Sequence, residues 1–400
     1  MKKDIDKVVL AFSGGLDTSV IVRWLQENYD CEVIAFAADL GQGEELEPLK
    51  ERAEQAGATD LVIKDLREEF ANDFVLKGLK AQAIYENGYP LATALGRPLI
   101  SKYLVEVAEE YNADAVAHGS TGKGNDQVRF EVSARALNPD IEAFTPVREW
   151  DLDTREDEIE YARNHGIEVE ATADSPYSYD RNLWGVSIEC GPLEDPWNAP
   201  PEDIYLLTSD PRQAPEEPEE VIIEFEAGKP VALDGERMDL VSLISQLNER
   251  AGQHGVGRID MVENRLVGLK SREVYEAPAG VTLHKAHQAL MDLTLERDLY
   301  HHLQRVSLKY AELVYNAQWF SPLRESLDAL IDRAQADLDG EVRMRLYKGQ
   351  ATVRGRRSDK SLYDYGLATY DEDDEFDQSL SEGFVELWGL PLKVVGEQRQ

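Results

Sequence analysis

Ser13-Gly14-Gly15-Leu16-Asp17-Thr18-Ser19 packs three hydroxyls, two glycines and a carboxylate into seven residues, directly after the apolar run Val8-Val9-Leu10-Ala11-Phe12. The run suits a buried strand, and Thr18 to Gln26 is patterned as an amphipathic helix. Glycine tolerates positive φ and lets a backbone approach a ligand closely. Thr18 and Ser19 stand where a helix leaves its first N–H groups unpaired. A turn of this kind turns N–H donors and the positive end of a helix dipole toward an anion, most naturally a phosphate. It is neither the G-x-x-x-x-G-K-[ST] phosphate loop nor the G-x-G-x-x-G dinucleotide fingerprint.

A second constellation runs from His118 to Glu131. Gly119, Gly122 and Gly124 permit tight bends, Lys123 and Arg129 bring cations, and Asn125 and Asp126 add amide and carboxylate groups. One cation on a glycine loop would suit phosphate alone. Thr121, Asn125, Asp126 and Arg129 together suit a zwitterionic amino acid, with Asp126 for an ammonium and Thr121 or Arg129 for a carboxylate.

The elements that must hold these loops alternate. Strands are expected at Val8–Phe12, Val33–Ala37, Leu61–Ile63 and Ala113–Ala117, and helices at Thr18–Glu27, Leu46–Ala56, Arg67–Tyr85 and Leu99–Tyr111. That rhythm predicts an α/β fold with a doubly wound parallel sheet. Ligands then bind beyond the carboxyl ends of the strands, where Ser13–Ser19, Asp39–Gly43 and His118–Asp126 could meet on one nucleotide. Beyond about residue 170 the pattern changes to α+β. Ala173–Pro218 reads as an extended connection, and Val221–Glu226, Val231–Leu233 and Gly257–Val267 as strands. Leu240–Arg250, Ala286–Tyr315 and Ser321–Ala336 read as helices, and Glu341–Val353 as a strand pair turning at Lys348-Gly349. The expected organisation is a nucleotide-binding domain at 1–168, a second domain at 169–365 and a C-terminal arm at 366–400 whose apolar stretch Phe384–Val395 docks elsewhere.

The chain has 400 residues, 42% of them hydrophobic, enough for sizeable cores but for two domains rather than one. No apolar run reaches the ~20 residues of a membrane span, and the N-terminus lacks a signal-peptide pattern, so a cytoplasmic protein is expected. Cys31 and Cys190, the only cysteines, make neither a disulfide framework nor a zinc cluster. Net charge is −36, with the acids scattered and Arg more frequent than Lys. Scattered acidity argues for adaptation to high salt, where self-repulsion is screened, and against a broad surface for nucleic acid. His284 with His287, and the His301-His302 pair, read as helix-surface histidines because no H-E-x-x-H or cysteine partner accompanies them.

SGG-x-D-x-S after a strand resembles the pyrophosphate loop of ATP pyrophosphatases, which cleave ATP between the α and β phosphates. Gly119-Ser120-Thr121-Gly122-Lys123-Gly124-Asn125-Asp126-Gln127-Val128-Arg129-Phe130 resembles the hallmark of the argininosuccinate synthase family. Arg97-Pro98 after Tyr89-Pro90-Leu91, Gly257–Asp260 with Val262–Arg265, Lys270–Arg272, Tyr275–Gly280, Leu346–Gly349 and Ser361–Asp364 extend that resemblance through most of the chain. It implies condensation of citrulline with aspartate, with ATP converted to AMP and pyrophosphate through a citrulline-adenylate. It further implies an ATP site at Ala11, Phe12, Ser13, Gly14, Gly15, Leu16, Asp17, Thr18, Ser19, Ala38 and Gly119. Thr121, Asn125 and Asp126 fall on aspartate-binding positions. Tyr89, Asn125, Arg129, Ser178, Ser187, Glu263 and Tyr275 fall on citrulline-binding positions. Asp17, Asp126 and Arg129 are the implied catalytic groups; Mg²⁺ accompanies ATP, organised in part by Asp17, without a dedicated metal site. Ala94 departs from the family, many members carrying a citrulline-contacting serine there. A homotetramer with reaching C-terminal arms is implied in the same way, with no membrane or nucleic-acid partner. Two other readings stay open at this point: an RNA-modifying ATP pyrophosphatase of the thiolating type, and a nucleotide-binding regulator without turnover.

Overall fold

The apolar run before Ser13 has no polar face to offer water. In the computed structural model, which describes residues 5–43, 47–152, 154–167 and 176–400, it forms the middle strand of a parallel sheet. Strand β1 (Lys7–Ala11) leads to α1 (Leu16–Tyr29), β2 (Glu32–Asp39), α2 (Glu47–Ala56) and β3 (Asp60–Asp65). A helical stretch follows, made of α3 (Arg67–Glu69), a π-helical turn at Phe70–Val75 and α4 (Leu76–Lys80). Then come α5 (Ala92–Glu110), β4 (Ala115–Ala117), α6 (Asp126–Leu137), β5 (Glu142–Phe144) and α7 (Arg155–Asn164). The sheet order is β3-β2-β1-β4-β5, every pair parallel. Val8, Val9 and Leu10 are wholly buried, as a sheet covered on both faces requires. The order reverses beside β1, so the loops after β1 and β4 flank the switch point where such sheets bind ligands.

The second half is α+β. It contains β6 (Ser178–Asn182), β7 (Gly185–Glu189), β8 (Glu219–Glu226), β9 (Lys229–Leu233), β10 (Glu236–Arg237), α8 (Leu240–Gln253), β11 (Arg258–Asn264) and β12 (Lys270–Glu276). Helices α9 (Pro278–Thr294), α10 (Arg297–Tyr315) and α11 (Pro322–Ala334) precede the hairpin β13 (Gly340–Tyr347) and β14 (Gln350–Arg357); α12 (Tyr365–Ala368) and α13 (Leu380–Gln398) end the chain. One antiparallel sheet runs β10-β9-β8-β13-β14, the other β11-β12-β7-β6. The second sheet faces the parallel domain: Asn182 Nδ2 donates to the Ala92 carbonyl at 2.9 Å, and the Leu183 N–H to the Leu40 carbonyl at 2.8 Å. Glu276, wholly buried at the end of β12, accepts from the N–H groups of Leu206, Leu207 and Thr208 and from the Thr208 hydroxyl at 2.7–2.9 Å. One carboxylate thereby ties the loop after β7 to the sheet.

Several expectations are corrected. The helix expected over Ala286–Tyr315 is two, because Glu296 turns the chain and caps α10 by accepting from the N–H groups of Asp298 and Leu299. The helix expected to begin at Leu99 begins at Ala92, with Pro98 inside it. The segment 67–85 stays helical only to Lys80. Within Ala173–Pro218 lies the hairpin β6–β7, and β12 was not anticipated. His284 and His287 are core residues rather than surface ones, hydrogen-bonded to Gln82 and Gln335. Burial lowers their pKa values to about 3 and about 4, so both are neutral. The expected boundary at 168/169 lies outside the described residues.

Replacing Glu276 by alanine leaves the N–H donors of residues 206–208 and the buried Thr208 hydroxyl without their acceptor. Guanidinium denaturation should record a loss of about 3 kcal/mol or more; a loss under ~1 kcal/mol would mean that the loop finds other acceptors.

Candidate active site

At the carboxyl end of β1 the chain turns through Gly14 at φ +75°, where an added Cβ would stand 2.4 Å from Leu49 Cδ2. Only glycine fits there. Gly15 precedes α1 in extended conformation, and no side chain caps the helix. The Ser13 and Thr18 hydroxyls lie 3.2 Å apart across the turn. The helix therefore presents its N-terminal donors and two hydroxyls on one side, the arrangement that receives a phosphate. Asp17 sits in the first turn, hydrogen-bonded to Glu158 of α7; burial and then the Asp17 charge push the Glu158 carboxyl up to about 8. Ala38 lies near the end of β2.

Gly119, past the end of β4, brings the second loop against the first: a Cβ there would meet Ile21 Cδ1 at 3.3 Å and Thr18 Cγ2 at 3.4 Å. Gln127 shapes this loop by donating to the carbonyls of Gly122 at 2.5 Å and Gly124 at 3.2 Å. His118, before the glycine, accepts at Nδ1 from the Ser120 N–H and stacks on Phe130. Beneath the loop a cavity of about 230 Å³ is lined by Tyr89, Gly119, Thr121, Asn125, Asp126, Arg129, Ser187, Glu263 and Tyr275 among the expected residues. The Ser13–Ser19 loop and Ala38 are not among the lining residues; the loop adjoins the cavity through Gly119. Ser178 lies at the start of β6, its hydroxyl toward Cys190 Sγ, on the same strand face as the lining residue Asp180. Ala94 is buried outside the cavity, its N–H directed at the Tyr89 hydroxyl, while Thr93 lines the wall.

Charge is packed densely here. Asp126 accepts from Arg97 Nε at 2.8 Å and from Arg129 Nη1 at 2.9 Å, and Arg97 also pairs with Asp180. Burial works to raise the pKa of Asp126, but the two guanidiniums outweigh it and hold the carboxyl below its ordinary range. Asp180 goes the other way, burial and the Asp126 charge outweighing Arg97.

The far wall comes from the second domain. Tyr275 stacks on Tyr89 with centroids 4.1 Å apart, and its hydroxyl donates to Glu263 Oε2 at 2.7 Å. The Tyr89 hydroxyl accepts from the Thr93 N–H at 2.8 Å, fixing the start of α5. Burial raises the pKa of Glu263 against the donors Tyr315 and Tyr275. Glu273 is pushed up to about 8 by burial and by Glu189, with Arg265 opposing. Arg265 pairs with both carboxylates and donates to the Lys123 carbonyl at 3.3 Å. Asn125 Oδ1 accepts from the Leu266 N–H at 2.8 Å.

Sequence reading missed Thr93, Asp180, Glu189, Arg265 and Glu273 in the lining, and Tyr315 behind it. Arg265 stood in a quoted motif without a role; the others carried no local signal. Among the described residues there is no group of three or more His, Cys, Asp or Glu suited to a metal ion, and no helix long and apolar enough to cross a membrane.

A parallel sheet with an uncapped glycine turn at its switch point, closed over by an antiparallel domain, defines a nucleotide-binding α/β protein of the HUP type. Residues 7–168 match the arginosuccinate synthase N-terminal HUP domain, and residues 177–395 match the arginosuccinate synthase C-terminal domain. The chain is 57% identical to the argininosuccinate synthase of Aquifex aeolicus, with all of both chains covered. It is 58% identical to that of Bacillus pumilus, over 97% of this chain and 96% of the other. The chain belongs to the argininosuccinate synthase family. A solved U34-tRNA thiolase from Methanococcus maripaludis aligns with 43% of this chain and 60% of its own at 16% identity and a TM-score of 0.29, too weak a likeness to bear on function.

Arg97→Met takes from Asp180 its guanidinium partner and leaves Asp126 with Arg129 alone. Denaturation at pH 7 should show a loss of about 2–3 kcal/mol. A carboxylate whose folded pKa is depressed stabilises above its unfolded pKa and loses that contribution as pH falls through the folded one. The difference between variant and parent should therefore narrow on acidification below the ordinary aspartate range. A gap of unchanged size after acidification well below that range would mean that Arg97 acts by packing alone.

Proposed function

We propose that the chain joins L-citrulline to L-aspartate, converting ATP to AMP and diphosphate. The reading rests above all on the close approach of Gly119 to Thr18 and Ile21, which an added Cβ would touch, setting a phosphate-type turn beside a cavity carrying Asp126 and Arg129. The donors of Ser13, Gly14, Gly15, Thr18 and Ser19 and the start of α1 take the ATP phosphates, with Ala11, Phe12, Leu16, Ala38 and Gly119 around the nucleotide. Asp126 takes the ammonium of aspartate with help from Thr121 and Asn125. Tyr89, Asn125, Arg129, Ser178, Ser187, Glu263 and Tyr275 hold citrulline. Asp17, beside the protonated Glu158, offers the hard oxygen ligand that Mg²⁺ takes together with phosphates. Such an ion, when bound, neutralises phosphate charge.

The ureido oxygen attacks the α-phosphorus and diphosphate departs, leaving a citrulline-adenylate. The aspartate amine then attacks the ureido carbon and AMP departs. No side-chain nucleophile is needed; the chain contributes alignment and donors aimed at developing phosphoryl charge. Reading the chain as an RNA-modifying pyrophosphatase or as a silent regulator would leave the Asp126–Arg129 cavity without a purpose. The same reading makes this a cytoplasmic enzyme of arginine biosynthesis that divides after residue 168. Helix α13 leaves Phe384, Leu387 and Trp388 exposed by 62%, 76% and 74%, an apolar surface that fits an arm in a homotetramer. The charge of −36 fits operation in high salt.

Purified protein should release AMP and diphosphate only when ATP, citrulline and aspartate are all present; ADP and phosphate as products would refute the reading. Asp126→Ala should raise the KM for aspartate about tenfold to a hundredfold and leave that for ATP nearly unchanged. Light scattering in molar salt should give the mass of four chains; monomer alone would sink the tetramer.

A further inference from the structure

Tyr315 closes α10, far in sequence from either glycine loop, and is almost wholly buried behind the cavity wall. Its hydroxyl accepts from Asn125 Nδ2 at 2.8 Å and donates to Glu263 Oε1. Its carbonyl accepts from Nε and Nη2 of Arg129, each at 3.2 Å. The ring stacks on Tyr85 with centroids 3.6 Å apart and planes within 7°, and the Arg129 guanidinium lies 4.9 Å from its centre. One residue thus touches three groups assigned above to substrate: Asn125, Arg129 and Glu263.

A phenol has one proton to give. An ionised carboxylate can only accept, so the Tyr315 proton is committed to Glu263, and the hydroxyl can meet Asn125 only as an acceptor. That turns the amide nitrogen of Asn125 toward Tyr315 and its oxygen toward the Leu266 N–H, which donates to it at 2.8 Å. The orientation of Asn125 is therefore held from two sides, by the Leu266 N–H and by the hydroxyl of a residue 190 positions away. With Oε2 of Glu263 held by Tyr275, both carboxylate oxygens have fixed partners as well.

We propose that Tyr315 is a positioning residue that sets the substrate-facing groups of the citrulline and aspartate positions together, by holding Asn125, Arg129 and Glu263 in one hydrogen-bonded frame. The inference rests on the reading of the cavity as the citrulline and aspartate site. It goes beyond that reading by adding a residue that touches neither substrate.

Glu263 supplies a readout that simple loss of packing would not move. Its charged neighbours are Arg129 from α6 and Arg265 from the turn just after its own strand β11, with Glu273 from β12; its hydroxyl donors are Tyr275 from β12 and Tyr315 from α10. Burial raises its pKa and the two tyrosines oppose that rise. Removing the Tyr315 hydroxyl lets the pKa climb further, so the acid limb of citrulline binding moves to higher pH.

The test compares the full-length enzyme with Tyr315→Phe, which keeps the ring and the carbonyl. Expected are KM values for citrulline and aspartate raised about tenfold, a KM for ATP within about twofold, and an acid limb displaced upward in the pH profile of kcat/KM for citrulline. In a Glu263→Gln background the same substitution should add far less to the citrulline KM, since the two act through one bond. Unchanged amino-acid KM values, a superimposable pH profile, an equal rise in the KM for ATP or full additivity would each overturn the proposal, as would a Tyr315→Phe chain that does not fold. If the unaltered enzyme releases AMP and diphosphate while Tyr315→Phe behaves like it, only the role of Tyr315 fails; absence of that turnover in the unaltered enzyme would refute the functional reading itself.

Discussion

Arg129 is buried with its charge, and burying an ion costs several kcal/mol unless its donors are met and a counter-charge lies close. Here Nη1 goes to Asp126 in its own helix, while Nε and Nη2 converge on the Tyr315 carbonyl in the other half of the chain. Neither half satisfies the guanidinium alone. The parallel domain supplies the carboxylate, the antiparallel domain supplies the carbonyl and an aromatic face, and the cavity lies where they meet. Arg97 repeats the pattern, joining Asp126 of the first domain to Asp180 of the second. The closed arrangement of the two halves is thus written into ionic contacts that become expensive when separated. The same contacts give the cavity its chemistry.

What could be read beforehand follows the range of the interaction. Strand β1 and its turn announce themselves within a dozen residues, because an apolar run and an obligatory glycine need no distant partner. The hairpin at Lys348-Gly349 is equally local, both residues taking positive φ where a tight turn demands it. The break between α9 and α10 was invisible because the apolar pattern continues across it and its cap is a glutamate, an uncommon residue for that place. The start of α5 was missed in the opposite direction: the helix begins at Ala92, seven residues before the expected Leu99, close to where the Tyr89 hydroxyl receives the Thr93 N–H.

The near wall of the cavity was legible because Gly119 to Arg129 is one continuous motif. The far wall was not. Asp180, Glu189 and Glu273 look like three more acids in a chain full of them, and only the packing of β6, β7 and β12 against α5 and the loop after β4 turns them inward. Ser187 and Tyr275 were reached through family resemblance, since no spacing rule links them. Their adjacency is a matter of register, Tyr275 standing opposite Ser187 where β12 pairs with β7.

That packing creates an electrostatic problem which its own burial reduces. Asp126, Asp180, Glu189, Glu263 and Glu273 line the cavity against Arg129 and Arg265 alone, with Arg97 behind. Fully ionised, such a wall would repel aspartate and ATP, the anionic substrates of the proposed reaction. Burial and the Glu189 charge lift Glu273 to about 8, and burial raises Glu263 and Asp180 from their ordinary values. Among the acids that line the cavity, Asp126 is the one driven down, clamped between two guanidiniums. The wall is therefore less negative than its composition, and its most firmly held negative charge sits where the proposed ammonium would bind. An incoming substrate carboxylate can draw on Arg97 or Arg129 only by sharing them with Asp126, and an incoming ammonium compensates Asp126 for that loss. A zwitterion exchanges both partners at once, whereas a simple anion or a simple cation would leave one charge of the cluster unmatched. Under the proposed function, the ionic lock itself favours an amino acid, before any contact with a side chain is counted.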